Sequence, residues 1–493
     1  MSNTTTLTRE LVFVPTPGMG HIVSTLQLAK LILTSNPLIS ISIYVINLPM
    51  HASKVNAYVD SQSRDNPYPT RLTFVTLPPL LNPPDPSIPN HFDIIIDLLK
   101  PLIKQAVEDQ VRAGLPKPAG FVLDMFCTEM LDIANEMNVP AYIFFTSGAS
   151  LLNFIFHAHS LADGHRDIDL AAEFSKPEYS MVVPGFKNPV TSSAIPAVLQ
   201  EMNGNEWLLN FGRMFREMKG ILVNTYVELE SFGIQALMNG DHKNIPPIYP
   251  VGPILEQGDK SSGGGGGADD KEESIIEWLD AQPKSSVVFL CFGSLGSFDE
   301  EQVKEVANGL ENLGHRFLWS LRKPPPPGGL VVSSDNEPFL EVLPEGFVDR
   351  TSGRGKIIGW APQVKVLAHP AVGGFVSHCG WNSTLESLWF GVPMATWPIY
   401  AEQQLNAFEL VKELELAVEI RMDYKTDMRT KKAAFLVKAE EIENGINSLM
   451  NMDEKTRTRV KKMSDDGKKA LEKGGSSYNY LERFIEGVLS NID

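Results

Sequence analysis

Between residues 360 and 403 the chain reads WAPQVKVLAHPAVGGFVSHCGWNSTLESLWFGVPMATWPIYAEQ, and side chains suited to recognition recur along it. Trp360 presents a flat π surface on which a base can stack, worth roughly 1–3 kcal/mol. After the strand-like "GGFVS", a helix opens with Asn382, Ser383 and Thr384. The unpaired N–H groups and positive dipole end of such a terminus form a ready phosphate site. His378 and the Ser383 hydroxyl add donors beside it. Glu386, four residues after Asn382 on the same helical face, can accept from two adjacent hydroxyls such as a ribose diol. Glu402 and Gln403 together offer the acceptors and donors that a sugar ring demands. Far away, in "FVPTPGMGHIVSTLQLAKLI" (13–32), His21 occupies the corner where a Gly-rich turn becomes a helix.

Alternating strands and helices must position these groups. "LVFVPT" (11–16) precedes a helix whose apolar residues Ile22, Leu26, Ala29 and Leu33 recur at steps of four, three and four. "ISIYVI" (41–46), "GFVLDMF" and "AYIFFTSGAS" continue the pattern. It restarts at "SVVFLCF" (286–292) and runs through "HRFLWSL", "GGFVSHCG" and "VPMATWP". Such alternation predicts α/β architecture with parallel sheets. At 493 residues the chain exceeds one hydrophobic core. The reading is therefore two Rossmann-like doubly wound domains facing across a cleft. The first spans 1–250 plus 476–493, where Leu481, Phe484, Ile485, Val488 and Leu489 form one helical face that packs back on it. A flexible linker spans 251–275 and the second domain 276–475. "PPPPGG" (324–329) is expected on the surface. Ligands bind beyond the carboxyl ends of parallel strands. That rule collects His21, Asp124 and Thr146–Ser147 in the first domain, and Ser294, Trp360, His378 and 396–403 in the second.

Several classes fall away. The net charge of −17, from 43 basic and 60 acidic side chains, argues against nucleic-acid binding. It also means that an anionic ligand must be held by local donors. "GMGHIV" lacks the third glycine of the dinucleotide fingerprint at Val23, and Asn47 stands where an acid would end the second strand. Walker A and GxSxG sequences are absent. Three scattered cysteines suit a reducing compartment. With no signal-like N-terminus and no apolar run near the roughly 18 residues of a membrane span, a cytoplasmic location is expected.

The segment from Trp360 to Gln403 closely resembles the 44-residue signature box of plant UDP-sugar-dependent small-molecule glycosyltransferases. "GHIVSTLQLAK", "FVLDMF", "ILVNTYVELE", "VGPI" and "FGSLGS" extend the resemblance over the whole chain. It implies a GT-B fold, with the acceptor bound mainly by the first domain and UDP-glucose by the second. In that pattern Trp360 stacks on uracil, Ala361 makes a backbone contact, and Gln363 and Glu386 serve the nucleoside. His378, Asn382, Ser383 and Ser294 serve the diphosphate; Trp381, Glu402, Gln403 and Thr146 serve the sugar. Gln403 as the final residue points to glucose. Gly20, His21 and Ala401 are implied on the acceptor side.

A neutral imidazole, with an ordinary pKa near 6.5, is a suitable general base for an acceptor hydroxyl. His21 takes that role, and Asp124 accepts its other N–H to fix the tautomer. The expected reaction is inverting glucosyl transfer to a small hydrophobic acceptor, a flavonoid or other phenolic, by a monomer needing no metal or other cofactor. A terpenoid or carboxylic acid acceptor is the alternative. A UDP-sugar epimerase, a hydrolase or a non-catalytic UDP-sugar sensor are readings of other classes. Acceptor loops are expected at 76–91, 146–160 and 180–200. Trp397 and Cys379 read as structural, Asp167–Asp169 as no metal site, and His157 and His159 as lying on different helical faces.

Overall fold

The computed structural model describes residues 8–48, 52–80, 84, 91–164, 169–200, 204–256, 268–324, 338–426 and 433–490. The chain divides into two compact units: Met1–Ser160, Leu208–Gly263 and Lys469–Asp493 form one, Leu161–Trp207 and Gly264–Lys468 the other.

The first unit is built on β1 (Arg9–Val14), β2 (Ile39–Val45), β3 (Leu72–Thr76), β4 (Gly120–Asp124), β5 (Ala141–Phe145), β6 (Gly220–Val223) and β7 (Ile248–Pro250). They form one sheet in the order β3-β2-β1-β4-β5-β6-β7, every pair parallel. β4 and β5 are buried along their whole length, as expected of parallel strands covered on both faces. β1 lies between β2 and β4, so the chain order reverses there, and this is where a doubly wound sheet opens a crevice. Register pairs Val14 with Leu123, so Thr16 and Asp124 leave the sheet as neighbours. The helix Met19–Ser35 buries Ile22, Leu26, Ala29 and Leu33. The C-terminal helix Ser476–Ser490 completes the same core with Leu481, Phe484, Ile485 and Val488. Phe484 meets the rings of Tyr142 and Tyr249 edge-on at 5.0 and 5.7 Å, and Ser477 Oγ donates to the Gly252 carbonyl.

The second unit repeats the plan with β8 (Val287–Cys291), β9 (Arg316–Ser320), β10 (Gly355–Ile358), β11 (Val372–Ser377), β12 (Met394–Thr396) and β13 (Ala417–Glu419). The order β10-β9-β8-β11-β12-β13 is again all parallel, with the reversal at β8. Trp397 is fully buried among Phe292, Phe298 and Tyr424, as its apolar setting predicts.

Two boundaries differ from the expected ones. Residues 161–207, assigned to the first domain by position in the chain, group with the second unit. The buried Glu413 carboxylate accepts from the Lys187 and Asn188 backbone N–H groups at 2.7 and 2.9 Å. Phe186 also lies 6.2 Å from Phe408, and Lys425 donates to Gln200. The expected linker 251–275 is structured at both ends. Val251 and Ile254 belong to the core of the first unit, and a helix spans Ala268–Asp280. Ile275 and Leu279, one turn apart, are buried and anchor that helix, which a reading dominated by the neighbouring glycines and charges overlooked. Residues 257–267, 325–329 of the proline-rich stretch, 81–83 and 85–90 of the first acceptor loop, and Asp167 lie outside the described residues. Asp169 caps a short helix, accepting from Ala172 N.

Candidate active site

At the switch point of the first unit, His21 Nδ1 lies 2.8 Å from Asp124 Oδ2. The His21 side chain is 27% exposed and that of Asp124 is fully buried. With the proton on Nδ1, the imidazole donates to the carboxylate, which fixes the tautomer and leaves Nε2 as the basic ring nitrogen. The second oxygen, Asp124 Oδ1, accepts from Thr16 Oγ1 at 2.5 Å and from the Phe126 backbone N–H at 3.1 Å. Both carboxylate oxygens therefore have hydrogen-bond partners while out of water. Thr146 follows β5, and its Oγ1 stands 3.4 Å from His21 Nδ1. The Glu230 carboxylate accepts from Ala149 N and Ser150 N and so holds the turn that carries Thr146. Phe126 meets the imidazole ring at 5.4 Å, and Phe211 follows at 5.8 Å from Phe126. Gly20 is exposed beside His21, its carbonyl accepting from Ser24 Oγ. The spacing of residues announced His21 and Asp124 but not Thr16. Its signal was its place two residues beyond the end of β1, the strand beside β4.

In the second unit, register pairs Cys291 with Ser377, so Gly293, Ser294 and His378 emerge together. His378 is buried, and burial pulls its pKa down to about 4, leaving a neutral imidazole at physiological pH. Its Nδ1 has no hydrogen-bond partner among the described residues. The ring sits tightly between two glycines: a Cβ on Gly293 would stand 2.4 Å from Nε2, and one on Gly380 2.6 Å. Gly293 also has φ +74°, a conformation that costs other residues strain. Cys379, next to His378, takes φ +64°. Its backbone N–H donates to Ser377 Oγ and its carbonyl accepts from Asn406 Nδ2, so it is structural as expected.

The helix Trp381–Trp389 starts at Gly380, whose lack of a side chain leaves no cap over the first-turn N–H groups. Trp381 and Ser383 are buried; Asn382 and Glu386 are half-buried. Gln363, first residue of the helix Gln363–Ala368, donates to Ser383 Oγ at 2.8 Å and to Glu386 Oε2 at 2.7 Å. These three expected ligand residues thus form one cluster. Trp360 is 42% exposed, a large ring open to solvent, and Ala361 beside it is buried. Ser294 is exposed. Ala401, Glu402 and Gln403 form the turn into the helix Gln403–Phe408, with Ala401 at φ +56°. The Gln403 side-chain oxygen accepts from Ile399 N and Tyr400 N at 2.9 and 3.0 Å. That oxygen is spent on shaping the turn.

The geometry matches known proteins. Residues 252–443 fit the family described as UDP-glucoronosyl and UDP-glucosyl transferase. UDP-glucose flavonoid 3-O-glucosyltransferase 6 of Fragaria ananassa is 48% identical over 97% of this chain and 98% of its own. The chain belongs to that family. Two solved structures resemble this UDP-glycosyltransferase over nearly all its length. A transferase from Siraitia grosvenorii, in complex with UDP, has a TM-score of 0.86 and 43% identity, covering 98% of this chain and 100% of that one. Medicago truncatula UGT71G1, complexed with UDP-glucose, has a TM-score of 0.83 and 36% identity, covering 98% of each. The UDP-glycosyltransferase is therefore an enzyme of GT-B fold, with two Rossmann-like units.

Proposed function

We propose that this UDP-glycosyltransferase moves glucose from UDP-glucose to a hydroxyl of a small apolar acceptor, a flavonoid or another phenol, with inversion at the anomeric carbon. The observation that carries the reading is the 2.8 Å contact between His21 Nδ1 and Asp124 Oδ2. In the step, the acceptor oxygen attacks the anomeric carbon and loses its proton to His21 Nε2. The bond from that carbon to the diphosphate oxygen breaks, and UDP leaves with the electron pair. Asp124 stabilises the imidazolium that forms. The helix end at Gly380, His378 and Ser383 would steady the departing anion, so the reading requires no divalent cation, and a chelator leaves the rate unchanged. Trp360 would stack on uracil and the Glu386 carboxylate would take the ribose hydroxyls. The names of the relatives and the donor bound in the Medicago structure support the choice of substrates.

The test is incubation with UDP-glucose and a panel of flavonols, simple phenols, terpenoid alcohols and aromatic acids. Inversion of the α-linked donor gives β-glucosides of the phenols, read from the anomeric proton coupling. Products that retain the α configuration overturn the displacement mechanism. UDP release without acceptor would mark a hydrolase, and tight binding without turnover a sensor. Selective reaction with terpenoid alcohols or acids would replace the acceptor class alone.

A further inference from the structure

The residues expected to hold the diphosphate bring dipoles and neutral donors but no cation. His378 is neutral, and the protein as a whole carries a net charge of −17. A nucleoside diphosphate is multiply anionic, which makes a nearby uncompensated positive charge valuable.

Arg322 supplies one. It stands two residues beyond the carboxyl end of β9, the strand that pairs with β8. One terminal nitrogen, Nη1, donates to the Gly293 carbonyl at 2.8 Å, and Nη2 donates to the Ser294 carbonyl at 2.6 Å. Two donors of one rigid fork on successive carbonyls fix the loop more firmly than a single bond would. Gly293 in turn packs against His378, so guanidinium, loop and imidazole are contiguous. Among the described residues no carboxylate pairs with Arg322. The titratable groups that act on it are Cys291 and Tyr400. Burial raises the Cys291 thiol and pushes Tyr400 up to about 12, so both are uncharged at neutral pH. Burial also draws the guanidinium down from its ordinary value, yet arginine stays charged in proteins.

We propose that Arg322 is the cation of the donor site, a positioning residue that fixes Gly293 and Ser294 while its unneutralised charge attracts the diphosphate and steadies UDP as it departs. The inference rests on the reading that the second unit binds UDP-glucose.

The test compares the affinities of UDP and uridine, measured by calorimetry, for the wild-type chain, Arg322→Met and Arg322→Lys. A charge acting on the diphosphate predicts that Arg322→Met weakens UDP at least about tenfold and leaves uridine within about twofold. Arg322→Lys recovers most of the UDP affinity because it restores the charge. Equal losses for UDP and uridine in Arg322→Met would mean that the loop has merely collapsed, and that overturns the proposal. So does an unchanged UDP affinity. If Arg322→Met fails to fold by circular dichroism, Arg322→Gln set against Arg322→Lys answers the same question. A wild-type chain that binds neither ligand removes the donor reading and this inference together. Wild-type binding with an unmoved variant removes the inference alone.

Discussion

The imidazole at the first switch point is already partnered within the protein, whereas the one at the second is held by packing. His21 has Asp124 behind it, and Asp124 has Thr16 and the Phe126 N–H behind it. His378 is wedged between Gly293 and Gly380 with an unpartnered Nδ1 among the described residues. The two sheets are wound alike, so the difference comes from what leaves the strand ends. A group that must accept a proton benefits from a fixed tautomer and a nearby negative charge before substrate arrives. A group that meets an anion needs the reverse: no internal acceptor and no competing charge.

The sharpest way to break this contrast is to remove His21. His21→Ala is expected to lower kcat/KM about a thousandfold while UDP affinity, measured separately, stays unchanged. Asp124→Asn should cost less, because it leaves the base in place with a poorly set tautomer. Loss of UDP affinity in either variant would mean that the first switch point is not reserved for proton transfer. Next in size, Trp360→Ala should weaken UDP binding about ten- to a hundredfold through lost stacking, without altering the pH profile of kcat at saturating donor. A shifted profile would show that the second unit tunes the base.

Thr16→Val sharpens the comparison on the proton-transfer side. It keeps the shape and removes the hydroxyl on Asp124 Oδ1, and the expected fall in kcat is about three- to tenfold, with KM for UDP-glucose unmoved and activity rescued by Thr16→Ser. An unaltered kcat would make Thr16 purely structural.

The smallest effect concerns acid stability. Burial pulls both His378 and His242, in the first unit, to about 4. His242 Nε2 lies 2.9 Å from Asn153 Oδ1. Both histidines are neutral when folded and protonate near pH 6.5 when unfolded. Unfolding therefore takes up protons as pH falls through 6.5, and stability is lost progressively down to about 4. Between pH 7 and pH 5 each histidine should cost about 2 kcal/mol, or about 2–4 °C in Tm. His242→Asn and His378→Asn should each flatten the pH dependence of melting. An equally steep loss in both variants would assign the acid sensitivity to other groups.

How much of this could be read from the residues depended on range. The strands and helices that the periodicity picked out are local patterns, and they stand within a few residues of where it put them. His21 and Asp124 could be placed together because both end strands that a doubly wound sheet sets side by side. Thr16 went unnoticed because its partner lies 108 residues away and a threonine after a strand has no distinctive spacing. Arg322 was hidden for a similar reason: its acceptors are main-chain carbonyls, which no sequence pattern displays. The boundary at 161–207 was misplaced because it is decided by Glu413 and two backbone N–H groups more than two hundred residues earlier. For Gln403, residue type alone could not reveal that its oxygen is used by the turn it belongs to.

Closure of the first core by Leu481, Phe484, Ile485 and Val488 sets an order for biosynthesis. Most of the sheet that carries His21 is made early, but part of its cover arrives only as the ribosome reaches residue 488. The second unit, whose last residue is Lys468, has by then been translated in full. Vectorial folding usually favours the N-terminal module; here the second unit is the first with all its parts. Cutting a few turns from the end of the chain would therefore damage the half of the enzyme that was begun first.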